Sequence, residues 1–528
     1  MNHPITNHQS SGSFFPTVSP MEKPLIIVRK ALAATLLATL FTITAWLSVP
    51  PGEFSPGAWA GPLPDHPPAG RSPSAGVGPI AGSPDLQGAY RFERGGWVFI
   101  HLEGSSRQIG YQHGYLLAPE ILDAFQAVKL RDTHDTHRDW SFFRQTAVEV
   151  LWPKLDPEYQ AELAGIAEGL KAHGVALDLD DVVALNAFEE VADYYVPWYD
   201  AQHKVADAPH LVSPGNCSAF VATGAYTHDH HVVMAHNNWT SYLDGERWRV
   251  IFDIVPQHGQ RILMDGFPGV ITSDDDFGVN SGGIMVTETT ISQYVGWDPH
   301  GKPEFMRSRK ALQYAHSIDD YVRIMLDGNN GGYANDWLLA DNKTGEIAQF
   351  ELGLKAHRVW RTKDGVFVGS NFARDPEVIA KDTTFDPHNP ATSPNARHTC
   401  WDELMERNKG KIDVEMAQKF MGDHYDAFEK RDDADERSLC AHVEDSPRGV
   451  EIWEWPPYYP GGAVQGKAID SAMAKAMSFY ARRGHPCGED FLAAPFLKAH
   501  PEFAWQAPLL RDMKAGPWTR FQAGERAP

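Results

Sequence analysis

Pro214-Gly215-Asn216-Cys217-Ser218-Ala219-Phe220-Val221-Ala222-Thr223 is the stretch on which the reading of this chain turns. A turn-forming triplet leads straight into small and apolar residues, which predicts a strand whose first residue carries a thiol. The character of the chain changes around this point, from Leu211 onward. Upstream, Ala89 to His101 reads as a hairpin with Gly95-Gly96 at its turn, and Ser106 to about Ala201 reads as mostly helical. Asp156-Pro157 supplies an N-cap and a first-turn proline, followed by Leu163, Ile166 and Leu170 at helical spacing. Downstream come short strand-like runs: Ser218–Thr223, His231–His236, Trp248–Val255, Arg261–Met264 and Ile284–Ile291. A helical pair, Phe305–Ser317 and Ile318–Leu326, precedes four more such runs near Trp337–Ala340, Ile347–Leu352, His357–Arg361 and Val366–Val368. Asp341 to Gly345 and Lys363-Asp364-Gly365 read as hairpin turns between them. After Arg397 the pattern turns helical again. Sheet in the middle with helices outside is a layered α/β arrangement.

The whole chain has 528 residues, 42% of them hydrophobic, which is ample for a large packed core. Lys and Arg number 47 against 69 Asp and Glu, a formal charge of −22, and such a surface repels nucleic acid. At the N-terminus Lys23, Arg29 and Lys30 precede an apolar run from Ala31 to Val49, and Ala58-Trp59-Ala60 resembles a signal-peptidase site. Residues 1–60 are therefore expected to be a signal peptide or a membrane anchor, and 61–85, rich in Pro and Gly, a linker. The rest is then extracytoplasmic, secreted or periplasmic. Four cysteines are too few to scaffold a chain of this size, although a Cys440–Cys487 bridge fits an oxidising compartment.

A lone cysteine is often just a small core residue. Cys217 has a second reading. If the Asn216–Cys217 bond is cut, the residue gains an α-amine whose reference pKa of roughly 7.7–8.0 suits a general base. Nucleophile and base then belong to one residue. The thiol can cut the preceding bond itself by an N-to-S acyl shift.

Several further stretches carry a resemblance. Asn216-Cys217-Ser218-Ala219, Met234 to Tyr242 with His236-Asn237-Asn238-Trp239 inside it, Phe267-Pro268-Gly269-Val270-Ile271, and Ser273-Asp274-Asp275 fall in order. Val286 to Thr290, Ser393-Pro394, Cys440-Ala441, Gly461-Gly462-Ala463 and Lys467-Ala468-Ile469-Asp470 follow. Together they resemble the core of the phospholipase B-like proteins. Gly110-Tyr111-Gln112-His113-Gly114 resembles the opening of that family and of the penicillin acyltransferase-like group. The resemblance implies an N-terminal nucleophile hydrolase with an αββα sandwich, antiparallel sheets lying between helical layers. Residues 86–216 would be its mainly helical N-terminal fragment and 217–528 the nucleophile-bearing fragment. The two would stay associated after self-cleavage.

By the same resemblance Cys217 is the nucleophile, and His236 and Trp239 flank it on the next strand. Asn280 and Asn371 match oxyanion-stabilising positions, and Arg397 an arginine near the active site. Turn chemistry is the alternative for either asparagine, and a helix-surface role for Arg397. The turn histidines His228, His230 and His231 read as solvated, and neither a metal nor a cofactor is expected. The implied activity is release of acyl chains from lipid esters or amides. The alternatives are an acyltransferase or amidase on N-acyl peptides or small amides, and a non-catalytic exported binding protein.

Overall fold

The computed structural model describes residues 83–205, 217–275 and 277–527. The signal or anchor expected in 1–60, the 61–85 linker apart from its last three residues, and Asn216 lie outside the described residues. Among the described residues, no helix is long and apolar enough to cross a membrane.

The expected hairpin is present as β1 (Tyr90–Arg94) and β2 (Trp97–Gly104). Gly95 and Gly96 both take positive φ at its turn, where a side chain would be strained. Six α-helices follow: Ser106–Leu116, Ala118–Thr136, Trp140–Thr146, Pro157–His173, Leu179–Asn186 and Val196–His203. The first and fourth lie backbone against backbone. A Cβ placed on Gly110 would sit 1.9 Å from the Glu162 carbonyl oxygen, and one on Gly114 2.1 Å from that of Ile166. From the other side, a Cβ on Gly165 would lie 2.3 Å from the Arg107 oxygen, and one on Gly169 2.2 Å from that of Tyr111. Two Gly-x-x-x-Gly stripes therefore face each other, which explains the glycines of the 110–114 motif by packing.

The remaining strands are β3 (Cys217–Thr223), β4 (Val233–Ser241), β5 (Val250–Pro256), β6 (Ile262–Gly266), β7 (Gly278–Asn280) and β8 (Ile284–Thr290). They continue as β9 (Asn335–Asp341), β10 (Glu346–Leu352), β11 (His357–Thr362), β12 (Gly365–Gly369) and the short pair β13 (Tyr425–Asp426) and β14 (Arg431–Asp432). β15 (Gly461–Asp470), β16 (Ser478–Arg483) and β17 (Thr519–Gln522) complete them. One sheet has nine strands in the order β1-β2-β5-β6-β7-β8-β9-β10-β11, and a second has six, β12-β3-β4-β15-β16-β17. Within these two sheets, only the β2–β5 pairing is parallel.

Strand alternation builds the layers. Trp97 and Phe99 of β2 face Val221, Met234 and Phe479 of the smaller sheet, forming a core between the sheets. Val98 and Ile100 turn the opposite way and pack with Ile109, Ile166 and Leu170 of the N-terminal helices. On the far side, Phe220 and Ala235 pack with Trp401, Leu404 and Phe420 from helices Ser393–Arg407 and Val414–Met421. The order helix, sheet, sheet, helix is the αββα sandwich.

Two expectations fail. Lys363-Asp364-Gly365 is not a hairpin turn, because β11 pairs with β10 in the large sheet while β12 pairs with β3 in the small one. The turn carries the chain from one sheet to the other. The C-terminal third is also not simply helical: β15, in the middle of the small sheet, lies there. Its first six residues, Gly461-Gly462-Ala463-Val464-Gln465-Gly466, hold one β-branched residue among three glycines, so intrinsic propensity hides a strand that tertiary pairing specifies.

The facing glycines predict a specific sensitivity. Gly165→Leu should lower stability by at least about 1–3 kcal/mol through overpacking, whereas Gly174→Asn, at a left-handed helix end with open space around it, costs less than that. Thermal or denaturant unfolding of the two variants reads the difference, and equal effects would mean the helix contact is not tight.

Candidate active site

Cys217 opens β3 fully buried, directly opposite Asn238 of β4, with His236 two residues along opposite Ala219. The expected hairpin therefore returns His236 beside the thiol. The Cys217 thiol donates to Glu288 Oε1 at 3.4 Å, and His236 Nε2 lies 3.9 Å from the same oxygen. Sequence reasoning did not single out Glu288. Tyr333 donates to that carboxylate at 3.4 Å, and Asn335, with its amide nitrogen turned inward, at 2.9 Å. The donor atoms of Cys217, His236 and Glu288 all lie within 4.8 Å of one another, close enough to hold a metal. Their line from thiol to carboxylate to imidazole equally suits proton transfer.

Behind His236 runs a buried ionic seam. Its Nδ1 is 3.8 Å from Asp275 Oδ2. Lys467, paired across strands with His236, sits against Asp275 and 3.0 Å from Asp265, and all three are buried. Ser273 bridges the two aspartates at 3.2 and 2.7 Å. Burial pushes Asp265 well up, helped by the neighbouring Asp275. Burial pushes Asp275 up as well, but Lys467, His236 and Ser273 outweigh it and hold its carboxyl below the usual range. His236 is pushed well down, by burial and then by Lys467, so it is neutral near pH 7. The Cys217 thiol is pushed well up, by burial first and then by Glu288 and Asp275, while the Trp239 backbone N–H and Lys467 oppose the shift. It is held as a thiol and needs a base to become a nucleophile.

Arg397 is fully buried, not on a helix surface. Its Nη1 donates to the Cys217 carbonyl at 2.6 Å and to Ser218 Oγ at 2.8 Å, and its Nη2 to Asn371 Oδ1 at 2.7 Å and the Ser370 carbonyl at 3.3 Å. Its guanidinium carbon lies 4.2 Å from the Trp239 ring centre. Burial lowers it to about 9, which leaves it charged at neutral pH. Trp239 is thus a stacking platform, with its indole N–H donating to the Leu439 carbonyl at 3.3 Å.

Asn371 meets Cys217, but not as an oxyanion donor. Two donors, Arg397 and the Cys217 backbone N–H at 3.1 Å, converge on its Oδ1, while its Nδ2 donates to the Thr290 carbonyl at 3.0 Å. It positions the Cys217 nitrogen, from a backbone held at φ 72°. Asp274 at φ 69° and Tyr333 at φ 43° also border the site, so backbone strain concentrates here. Asn280 does not join the site. Its side chain donates to the Leu312 and Ala315 carbonyls at 2.8 and 2.9 Å and accepts from Ile284 N–H at 3.0 Å. Ile284 begins β8, and Glu288 is four residues along it, about 13 Å at strand rise. Asn280 is the turn residue that its glycine-rich context also allowed. The turn histidines His228, His230 and His231 are exposed, as expected.

Asn238 is a further residue that the sequence did not mark. It is buried opposite Cys217, and its side-chain nitrogen has no hydrogen-bond partner. The resemblance motif contained it, but only the register shows that it shares the thiol's face.

The N-terminal layer holds a loop that leads into the site. His113 Nε2 accepts from the Gly269 N–H at 2.9 Å, and Asn186 donates to the Gly269 carbonyl at 2.8 Å and accepts from Ile271 N–H at 2.9 Å. This pins the 267–271 motif just ahead of Asp275.

Comparison with known proteins finds matches across part of the chain. The phospholipase B family matches residues 131–363, which include Cys217, His236, Trp239 and Glu288. Over part of its length the chain is similar to the phospholipase B-like proteins. It is 30% identical to putative phospholipase B-like 2 of Rattus norvegicus over 25% of this chain and 25% of that protein. It is 24% identical to phospholipase B-like 1 of Bos taurus over 44% of this chain and 48% of that protein. The chain thus matches between a quarter and a half of these relatives' lengths. Among solved structures, a mutant conjugated bile acid hydrolase from Clostridium perfringens matches at 12% identity with a TM-score of 0.31, covering 50% of this chain and 88% of that one.

The seam makes its own prediction. Lys467→Met leaves two buried aspartates facing each other and should cost roughly 3–5 kcal/mol, as removal of one partner from a buried ion pair does. Adding Asp265→Asn should recover part of that loss in denaturant unfolding. No recovery would show that the lysine acts by packing alone.

Proposed function

We propose that this chain is an exported acyl hydrolase that matures by cutting its own Asn216–Cys217 bond and then uses Cys217 as an N-terminal nucleophile. The observation that carries this reading is the way Cys217 is held at three atoms: its nitrogen by Asn371, its carbonyl by Arg397, its sulfur beside Glu288. A structural core cysteine needs none of these contacts. The phospholipase B-like relatives favour lipid esters or amides as substrates, with other N-acyl compounds next. The apolar run Ala31–Val49 supports export.

In the uncut chain the Cys217 nitrogen is an amide and no base. Glu288 is the acceptor for the thiol proton, so the sulfur attacks the Asn216 carbonyl carbon. The peptide C–N bond breaks as the nitrogen takes a proton, and water then hydrolyses the thioester. The new α-amine, seated on Asn371 Oδ1, is the base for turnover. It takes the thiol proton, the thiolate attacks the acyl carbon, and the leaving alcohol or amine departs with that proton. Water, deprotonated by the same amine, releases the acid. Asn238, opposite the thiol with an unpartnered amide nitrogen, is the donor that can meet the developing oxyanion. Loss of one such donor costs about 10²–10³ in kcat.

Intact mass of the active protein should show two associated fragments. Cys217→Ala should neither cut nor turn over, and Asn238→Ala should lose activity by about the factor just given while still cutting. Full activity in a single uncut chain, or activity surviving in Cys217→Ala, would overturn the proposal. The assay is acid release from phospholipid and N-acyl amide panels.

The pH profile separates two bases. The α-amine, lowered by burial from roughly 7.7–8.0, must be neutral to act, so activity rises as pH climbs toward neutrality. His236 is already neutral there, because burial has pushed it down. The rising limb should therefore persist in His236→Gln with a lower plateau. A limb that vanishes while activity remains would assign the base to the histidine.

A further inference from the structure

We propose that His424, Cys440, His442 and Cys487 form a tetrahedral zinc site, separate from the nucleophile, that staples three loops behind the small sheet. One ligand atom from each of the four lies within 4.8 Å of every other. His442 Nε2 is 3.8 Å from Cys440 Sγ and 3.4 Å from Cys487 Sγ. Around zinc, with Zn–S near 2.3 Å and Zn–N near 2.0–2.1 Å, a tetrahedron has sulfur-to-nitrogen edges of about 3.5 Å. The two distances bracket that value. Both cysteines are free thiols, and a Cys2His2 set is a closed structural-zinc donor set.

The surroundings fit a metal as well as the ligands do. A zinc-bound histidine commonly gives its other ring nitrogen to a carboxylate. His442 Nδ1 faces Glu444 Oε1 at 3.5 Å, which leaves Nε2 toward the sulfurs. Glu444 is itself fixed by the Tyr242 hydroxyl at 2.5 Å, and His485 stacks on His442 at 3.9 Å. His424 Nε2 is buried and has no hydrogen-bond partner. Cys487 is partly exposed and lines a surface groove with Gly422 and Pro486, which gives an ion a way in.

The chain needs a staple here. Between helix Val414–Met421 and β15 the backbone forms only the two-residue strands β13 and β14 and two single helical turns. Irregular segments of this length require anchoring. The loops cross closely: a Cβ on Gly422 would lie 3.0 Å from Cys487 Cα, and Cys440 N–H donates to the Asp423 carbonyl at 2.9 Å. Leu439, next to the first thiol, supplies the carbonyl that holds Trp239 and, at 2.9 Å, Asn237. A metal here fixes the platform on which Arg397 stacks, without touching the reacting atoms. Spacing hides the site, because the four ligands are spread over 64 positions and only Cys440-x-His442 is local.

The test begins with metal analysis of the full chain purified without chelator, where about one zinc per chain is expected. After chelation without reductant, both Cys440 and Cys487 should alkylate, and added Co2+ should give a cobalt–thiolate charge-transfer band. The His424→Ala/Cys487→Ser double variant should lose at least about nine-tenths of the zinc, and Glu444→Gln should weaken Zn2+ affinity about 10–100-fold. A Cys440–Cys487 disulfide in metal-free protein would overturn the site. So would free thiols that take up neither Zn2+ nor Co2+, and so would zinc retained by the double variant. The wild-type measurements stand even if a variant fails to fold.

Discussion

The buried guanidinium of Arg397 is the constraint on which the site depends. It joins the first residue of β3, the turn after β12 and the helix from Ser393. A charge taken out of water must be satisfied on all its donors, and here carbonyl, hydroxyl and amide oxygens with an indole face do so. That demand orients Asn371, and Asn371 in turn fixes the Cys217 nitrogen. The position of Cys217 follows from where a cation can be satisfied inside the protein.

A second buried charge system lies across the sheet from the first. Lys467, Asp265 and Asp275 sit on the inner face, under His236. Burial, with Lys467, keeps the imidazole neutral against the pull of Asp275, and both its ring nitrogens lack hydrogen-bond partners. The histidine is thereby left as a polar, uncharged neighbour of the thiol. Two cations, one on each face of the small sheet, bracket a strand end that carries no charge of its own. The field at Cys217 is the sum of these and of Glu288.

The legible part of this chain was the part written in local patterns. The hairpin at Gly95-Gly96, the helix begun by Asp156-Pro157 and the strand beginning at Cys217 all have their cause within a few residues. Cys217, His236, Trp239, Asn371 and Arg397 do come together, through motif resemblance more than through spacing. What escaped is non-local. β15 is a strand because of its neighbours, and its glycines conceal it. Glu288 lay inside a recognised motif, but only the fold shows that it reaches the thiol. Asn280 and Asn371 look alike in sequence, each beside a glycine and a serine. One caps carbonyls at a helix end and the other holds the Cys217 nitrogen, and only tertiary contacts separate them.

The contact between His113 and the 267–271 loop makes the helical layer's hold on the site sensitive to acid. His113 accepts from Gly269, so it must be neutral there, and burial drives its pKa from 6.5 to about 3. An unfolded histidine gains a proton as pH drops through 6.5, whereas the folded one resists until near 3. Proton binding therefore favours the open chain over that interval. Above 6.5 the contact contributes in full, and it is eroded steadily as pH falls toward 3. A compartment of moderate acidity would thus loosen the grip of the N-terminal helices on the loop ahead of Asp275.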